Sequence, residues 1–331
     1  MRPNRRRAKD FALLDRSTRE RAGMFRQKAR MTRRGVETYF LKLVLSQLPE
    51  GTVMNRILQK EQLSDIVYRY RLEAPRIARK RKAGQFIIVR ASKDSERIPL
   101  TIANADPRQG WIEIIFQVVG SGTRELFELN TGDAVHDLAG PLGKPTHIER
   151  FGRCLCIGGG VGVAPLYPIV SALADAGNEV TAIIGARASE LLILEREMDA
   201  KSERLLVATD DGSVGRKGFV SDIAIELFES GERFDLAVVI GPAIMMKVTT
   251  ALTVSRGVKT FASLNPIMID GTGMCGGCRV TVHGETKFAC VDGPEFDAAG
   301  IDWNELLKRL GSYRDFERQA QEVHTCRLAD K

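Results

Sequence analysis

The chain has 331 residues, of which 44% are hydrophobic and 27% charged, with six Cys and a formal net charge of +7. That length accommodates two or three domains of ~100–200 residues each, and the composition is that of an ordinary globular protein. No apolar run reaches the ~18 residues of a membrane span and no signal-peptide core follows the first residues, so the expected location is the cytoplasm.

The positive charge is unevenly placed. Residues 1–35 hold 13 Lys and Arg against 3 Asp and Glu, which leaves the rest of the chain slightly acidic. Residues 1–53 therefore read as a basic N-terminal extension, solvated or partly helical. A transit peptide is another reading. So is an arm that binds nucleic acid, an anionic membrane or an acidic protein, although nucleic acid is not an expected partner of the folded body.

From Met54 to about residue 150, short apolar segments alternate with Gly, Pro and Asp. Residues 57–58 start a strand, 66–72 alternate with period two, Ala83-Gly84-Gln85-Phe86 turns into the strand 87–90, and Trp111–Val119 is a long strand. This pattern predicts a small antiparallel barrel. Over 151–264 the rhythm changes to strands at 154–160 (running into glycines), 180–186, 205–212, 236–242 and 259–265, alternating with helices at 163–177, 189–201, 219–231 and 243–257. Five apolar strands alternating with helices predict a parallel α/β sheet covered on both faces. Residues 265–297 form a Gly- and Cys-rich module, and 298–331 a helical tail with helices over 303–310 and 313–323.

The strongest chemical signal is Asp270-Gly-Thr-Gly-Met-Cys275-Gly-Gly-Cys278 followed by Cys290. Two thiolates in C-x2-C spacing grip a metal centre on a tight loop, and Gly271, Gly273, Gly276 and Gly277 allow positive φ and close backbone approach. The intervening residues read as a β-hairpin turning at His283-Gly284, which returns Cys290 to the loop. Three thiolates fall one short of the usual four cluster ligands, and Asp270 completes the spacing D-x4-C-x2-C-x11-C. A 2Fe-2S cluster is favoured over structural zinc, whose sites use Cys and His, and over a Cys275–Cys278 disulfide. His283, at the hairpin tip, is poorly placed to ligate. Cys154 and Cys156 alternate on a buried strand and read as core, and Cys326 reads as incidental.

Gly158-Gly159-Gly160-Val161-Gly162-Val163-Ala164-Pro165 follows a strand and opens a helix, as a dinucleotide pyrophosphate requires. Alone it is a weak signal. Loops at the carboxyl ends of three further strands support it, at Gly185-Ala-Arg187, Asp210-Asp211-Gly212 and Gly241-Pro242. Arg187 is a candidate for phosphate or ribose. Two further segments, Arg97-Ile-Pro99-Leu100-Thr101 and Val119-Gly120-Ser-Gly122-Thr123, flank the strand WIEIIFQVV, and each alone could be a β-turn.

Taken in order (GQF, R-x-P-L-T, V-G-x-G-T, G-G-G-V-G-V-A-P-L, G-P, the Cys cluster and C-V-D-G-P), these motifs resemble the ferredoxin–NADP reductase-like superfamily over residues 55–297. Within it the chain is similar to the electron-transfer subunits of dihydroorotate dehydrogenases. It is more similar to the small subunits of NADH-dependent reduced ferredoxin:NADP oxidoreductases and their sulfide dehydrogenase relatives, because position 270 is Asp where the dihydroorotate type is expected to have Cys.

The resemblance implies FAD, NAD(H) and a 2Fe-2S cluster. It implies FAD contacts at Arg97, Pro99, Leu100, Thr101, Phe116, Gln117, Gly122 and Thr123, nicotinamide-cofactor contacts at Gly159, Gly160, Val161, Gly162, Pro165, Arg187, Asp210 and Gly241, and cluster ligation by Asp270, Cys275, Cys278 and Cys290. It also implies a larger flavin and iron–sulfur partner subunit that binds NADP(H), with ferredoxin reached indirectly through it, and makes residues 1–53 an addition to the family or the product of an early start codon. Hydrolytic chemistry has no candidate motif. No acid–base residue is expected, because the cofactors carry the redox chemistry. The remaining readings are a sulfide or polysulfide dehydrogenase subunit, a dihydroorotate dehydrogenase electron-transfer subunit, and a redox-sensing nucleic-acid-binding protein.

Overall fold

The computed structural model describes residues 55–312. The basic segment 1–53 and the helix expected over 313–323 lie outside them. Six strands come first: β1 (Ile57–Ser64), β2 (Val67–Glu73), β3 (Phe86–Arg90), β4 (Ile98–Asp106), β5 (Trp111–Gln117) and β6 (Asp137–Leu142). They form an antiparallel sheet in the order β1-β2-β5-β4-β3-β6. The backbone of Ile57 bonds to Asp133 and Gly132, at 2.7 and 2.8 Å, so the first strand meets the segment entering the last and closes a barrel. Two helices interrupt it, α1 (Pro75–Lys80) and α2 (Ser121–Glu128). Neither was legible in the alternating pattern. Tyr70, Leu72, Ile87, Val89, Ile112 and Ile114 fill the interior.

The remaining strands are β7 (Arg153–Gly159), β8 (Glu179–Ala186), β9 (Arg204–Thr209), β10 (Arg216–Lys217), β11 (Leu236–Ile240), β12 (Lys259–Ser263), β13 (Arg279–Val282), β14 (Glu285–Phe288) and β15 (Glu295–Asp297). The helices among and after them are α3 (Val163–Asp175), α4 (Glu195–Asp199), α5 (Val220–Glu229), α6 (Ala243–Ser255), α7 (Ala289–Asp292) and α8 (Trp303–Gly311). Seven strands form one sheet in the order β10-β9-β8-β7-β11-β12-β15, parallel except for β15, which runs antiparallel to β12. Both faces are covered: Cys154 and Cys156 of β7 enter one core and Leu155 and Ile157 the other. Burial raises the Cys154 thiol to about 12 and the Cys156 thiol well above its ordinary value, which makes both inert core residues.

The helix expected over 189–201 is broken. A single turn at Ser189–Leu191 is followed by extended chain, and α4 is entered through Leu194 in the left-handed region at φ 58°. The reason is the apolar run Leu191–Leu194, which a helix would spread around its circumference. The break instead buries Ile193 and Leu194 together in the core beside α3.

β3 shows how the barrel joins the rest. Ile87 and Val89 point into the barrel, while Phe86 and Ile88 enter the core that also holds Cys278, Cys290 and Phe296. This period-two division explains the uninterrupted FIIV run. At the same junction Glu295 accepts a hydrogen bond from the Thr146 hydroxyl at 2.5 Å. Its carboxylate lies over Gly84, where any side chain would collide with it. Burial pushes its pKa up to about 7.

Between the ordinary value of 4.5 and about 7, folded Glu295 holds a proton that the unfolded chain releases. Its contribution to stability therefore falls as pH rises through that window and is fully lost above it. Glu295→Gln should be more stable than the parent at about pH 8, by on the order of 1–3 kcal/mol, and similar to it near pH ~4. Thermal melts across that range measure the difference.

Candidate redox site

The hairpin β13–β14 turns at His283 and Gly284, both at positive φ (51° and 76°), as a two-residue turn matched to the strand twist requires. It pairs Arg279 with Phe288, and Ala289 N donates to Cys278 O at 3.1 Å, which sets Cys290 beside Cys278. Their Sγ atoms lie 3.2 Å apart, and both residues are buried. Cys275 is exposed, with its Sγ 3.0 Å from Asp270 Oδ1.

The four donors thus form two pairs, one inside and one at the surface. Among the described residues no three His, Cys, Asp or Glu side chains converge on one ion, as a single tetrahedral zinc would need. Two pairs suit two irons with two protein ligands each. Hydrogen bonds from the Cys275 thiol, the Thr272 hydroxyl and Met274 N hold the Asp270 carboxyl well below the usual carboxylate range. Burial and the Cys278 contact push the Cys290 thiol up to about 12, so metal binding there must displace a proton. His283 Nε2 pairs with Asp297 at 3.0 Å and takes no part.

The loop is seated on the barrel. Gly271, at φ 77°, packs so closely on Ile88 and Leu142 that a Cβ would lie 2.8 Å from each. Two residues earlier, Ile269 O accepts from Arg97 Nε at 2.9 Å. Arg97 therefore reaches the cluster loop through its Nε.

β4 changes partner midway. Ile98–Thr101 pair with β3, and β4–β5 pairing begins only at Ile102↔Ile114. Pro99, Leu100 and Thr101 thus part from Phe116 and Gln117 and open one edge of the barrel. The Phe116 ring is buried edge-on against Tyr70, at 5.0 Å between centroids, so only its backbone faces that edge. The Thr123 hydroxyl accepts from Val119 N and Gly120 N at 3.1 and 3.0 Å and fixes the turn into α2. Gly122 packs on Glu96 and Ile98, whereas Gly120 faces open space among the described residues. The first N–H groups of α2 lack acceptors within the helix and favour an anion.

In the parallel sheet the chain runs from β7 outward through β8 and β9 to β10 on one side, then crosses over to place β11 on the other side of β7. The switch point between β7 and β11 is where such sheets bind ligands. Gly160, at φ 56°, faces open space there, and it is followed by Val161, Gly162 and, in the first turn of α3, Pro165. Gly162 packs on the Gly241 backbone, and Gly159 lies under the Met245 thioether. Of the loop glycines, then, Gly160 faces the crevice while Gly159 and Gly162 set its walls. Arg187 and Asp210 sit on adjacent loops, tied by Asp210 N to Ala186 O and Asp211 N to Arg187 O at 3.1 and 3.2 Å.

Residues 265–302 match the family model for the iron–sulfur cluster binding domain of dihydroorotate dehydrogenase B, and residues 156–251 the oxidoreductase NAD-binding domain. The chain is 47% identical to the dihydroorotate dehydrogenase B (NAD(+)) electron transfer subunit homolog of Thermotoga maritima, over 82% of this chain and 96% of that one. The chain belongs to the dihydroorotate dehydrogenase B electron-transfer subunit family. Within that family, the subunit of Geobacillus thermodenitrificans is 32% identical over 74% of this chain and 96% of its own length. Among solved structures, a chain of the NADH-dependent reduced ferredoxin-NADP oxidoreductase, studied for flavin-based electron bifurcation, superposes with a TM-score of 0.79. It is 46% identical over 83% of this chain and 99% of that one. A cytochrome P450 reductase of Amycolatopsis shares the fold, with 22% identity, a TM-score of 0.53 and coverage of 61% and 65%.

As a member of this family the chain has a ferredoxin reductase-like fold with an NAD-binding domain and a C-terminal iron–sulfur domain. Among the described residues no helix is long and apolar enough to cross a membrane. Sequence reasoning did not single out Arg279 and Arg309, which donate to carbonyls of the cluster loop. Arg279 directly follows Cys278, which could have drawn attention to it, but nothing in the sequence points to Arg309.

Proposed function

We propose that this subunit passes electrons between NAD(H), FAD and a 2Fe-2S cluster, as the small subunit of a cytoplasmic, electron-bifurcating NADH-dependent ferredoxin:NADP oxidoreductase. The observation that carries the reading is the pairing of Asp270 with Cys275 and of Cys278 with Cys290 on a loop seated against the barrel. Bound flavin supplies the conversion between a hydride pair and single electrons.

The chain's own residues bind and orient. The opened edge at Pro99–Thr101 and Phe116–Gln117 would hold the isoalloxazine, and the α2 N-terminus with Gly120 the FAD pyrophosphate. Gly160, Val161 and the start of α3 would take the NAD pyrophosphate, with Arg187 and Asp210 toward its adenosine half. Asp270 and Cys275, at the surface, would hold one iron of the cluster, and Cys278 and Cys290, buried, would hold the other. The partner is a larger flavin and iron–sulfur subunit that binds NADP(H) and serves ferredoxin.

Anaerobic affinity capture of the full chain from its host, with mass spectrometry of what is retained, tests this. A glutamate-synthase-like flavoprotein with further Cys clusters is the expected partner. A dihydroorotate dehydrogenase catalytic subunit would instead place the chain in dihydroorotate oxidation, a reading that its curated relatives favour.

A further inference from the structure

Three arginines from three separate elements each donate to a carbonyl of the cluster loop. Arg97 Nε, from the barrel, reaches Ile269 O at 2.9 Å. Arg279 Nη1, from the hairpin, reaches Gly276 O at 2.9 Å, and Arg309 Nη2, from α8, reaches Gly277 O at 3.1 Å. In a trans peptide the C=O and N–H of one unit point in opposite directions, and these three peptides are trans. Fixing the carbonyls toward the guanidiniums therefore turns the N–H groups of Asp270, Gly277 and Cys278 the other way, away from the guanidiniums. One of them meets a ligand atom, with Gly277 N 3.4 Å from Cys275 Sγ.

Among the described residues, two of the three cations stand without a carboxylate partner and the third shares one. Among the described residues, neither Arg279 nor Arg309 has a carboxylate oxygen within 4.0 Å, and the Asp137 that lies 4.0 Å from Arg97 is already held by Arg90 at 2.5 Å.

We propose that Arg97, Arg279 and Arg309 are positioning residues for the cluster, a collar that aims backbone N–H groups at the ligand atoms and raises the reduction potential. The inference rests on reading Asp270 and the three Cys as cluster ligands. Hydrogen bonds to cluster sulfurs are among the factors that set such potentials. The added electron makes the ligands more negative, so each correctly aimed N–H stabilises the reduced form more than the oxidised one. Arg279 has the largest share, because its carbonyl belongs to the peptide whose N–H meets Cys275.

The test is a reductive titration of the full, cofactor-loaded chain followed by electron paramagnetic resonance, with iron and FAD contents measured on the same samples. Arg279→Met should lower the potential by about a tenfold change in the reduction equilibrium, ~59 mV for one electron, and shift the g-values while FAD is retained. Arg279→Lys, which keeps a cationic donor, should restore part of the shift. Arg97→Met and Arg309→Met should move the same way by less, and iron loss in Arg279→Met that Arg279→Lys reverses supports the same role.

Met variants with the parent potential and g-values would overturn the collar. If Asp270→Ala, run alongside, loses its iron in that case, the cluster assignment survives. If Asp270→Ala keeps the parent spectrum, the ligand assignment itself fails. Loss of FAD from Arg97→Met with an unchanged cluster would return Arg97 to the flavin.

Discussion

Replacing Asp270 with alanine is expected to take the iron content from about two per chain toward zero, because a 2Fe-2S cluster needs four protein ligands. Its partner in the surface pair would then be Cys275 alone, leaving that iron with a single protein donor beside solvent. FAD content and the fold should hold, since Asp270 lies on the exposed loop and contributes nothing to either core. Asp270→Cys should keep the iron, with an altered potential and resonance signature, because a thiolate can occupy the same place. Colorimetric iron and sulfide, read with the resonance spectrum, decide the matter. Unchanged iron in the alanine variant removes Asp270 from the ligand set.

The second large effect is expected at Gly162. A Cβ there would lie 2.7 Å from both the Ile240 carbonyl oxygen and the Gly241 Cα. These are backbone atoms of the neighbouring loop and cannot swing aside, so Gly162→Ala must push apart the two loops that bound the switch-point crevice. NADH affinity should fall by roughly 10- to 100-fold, about 1.4 kcal/mol per factor of ten, while dithionite still reduces flavin and cluster to the parent extent. Titrating flavin bleaching against NADH measures this, and a curve that overlays the parent would take the nucleotide away from this crevice. Gly160→Ala offers a contrast. It meets no neighbour and strains only its own backbone at φ 56°, a cost of about 1–2 kcal/mol.

The architecture was legible because periodicity carries it. Alternation before residue 150 and apolar strand–helix repeats after it mark the two sheets, and His283-Gly284 marks the hairpin that returns Cys290. The ligand spacing was legible too, but the pairing of donors was not, because pairing depends on the hairpin register. The flavin edge was the least legible part. Phe116 falls in a stretch where five consecutive residues, Ile112–Phe116, are all buried, so alternation could not say which side its ring takes. Arg97 sits in a flavin motif, yet its guanidinium finds a carbonyl 172 residues away. The helix misread over 189–201 has the same origin, since local apolar content does not show where the core lies.

β3 is a party wall, with Ile87 and Val89 plastering the barrel side and Phe86 and Ile88 the side of the cluster module. Gly271 rests directly on Ile88. Neither room can shift without disturbing the other, so a flavin at the opened edge and a cluster on the Gly271 loop would be held at a separation fixed by one shared strand. With that separation fixed, the lever left to the sequence would be driving force, which ligands and their hydrogen-bond donors control.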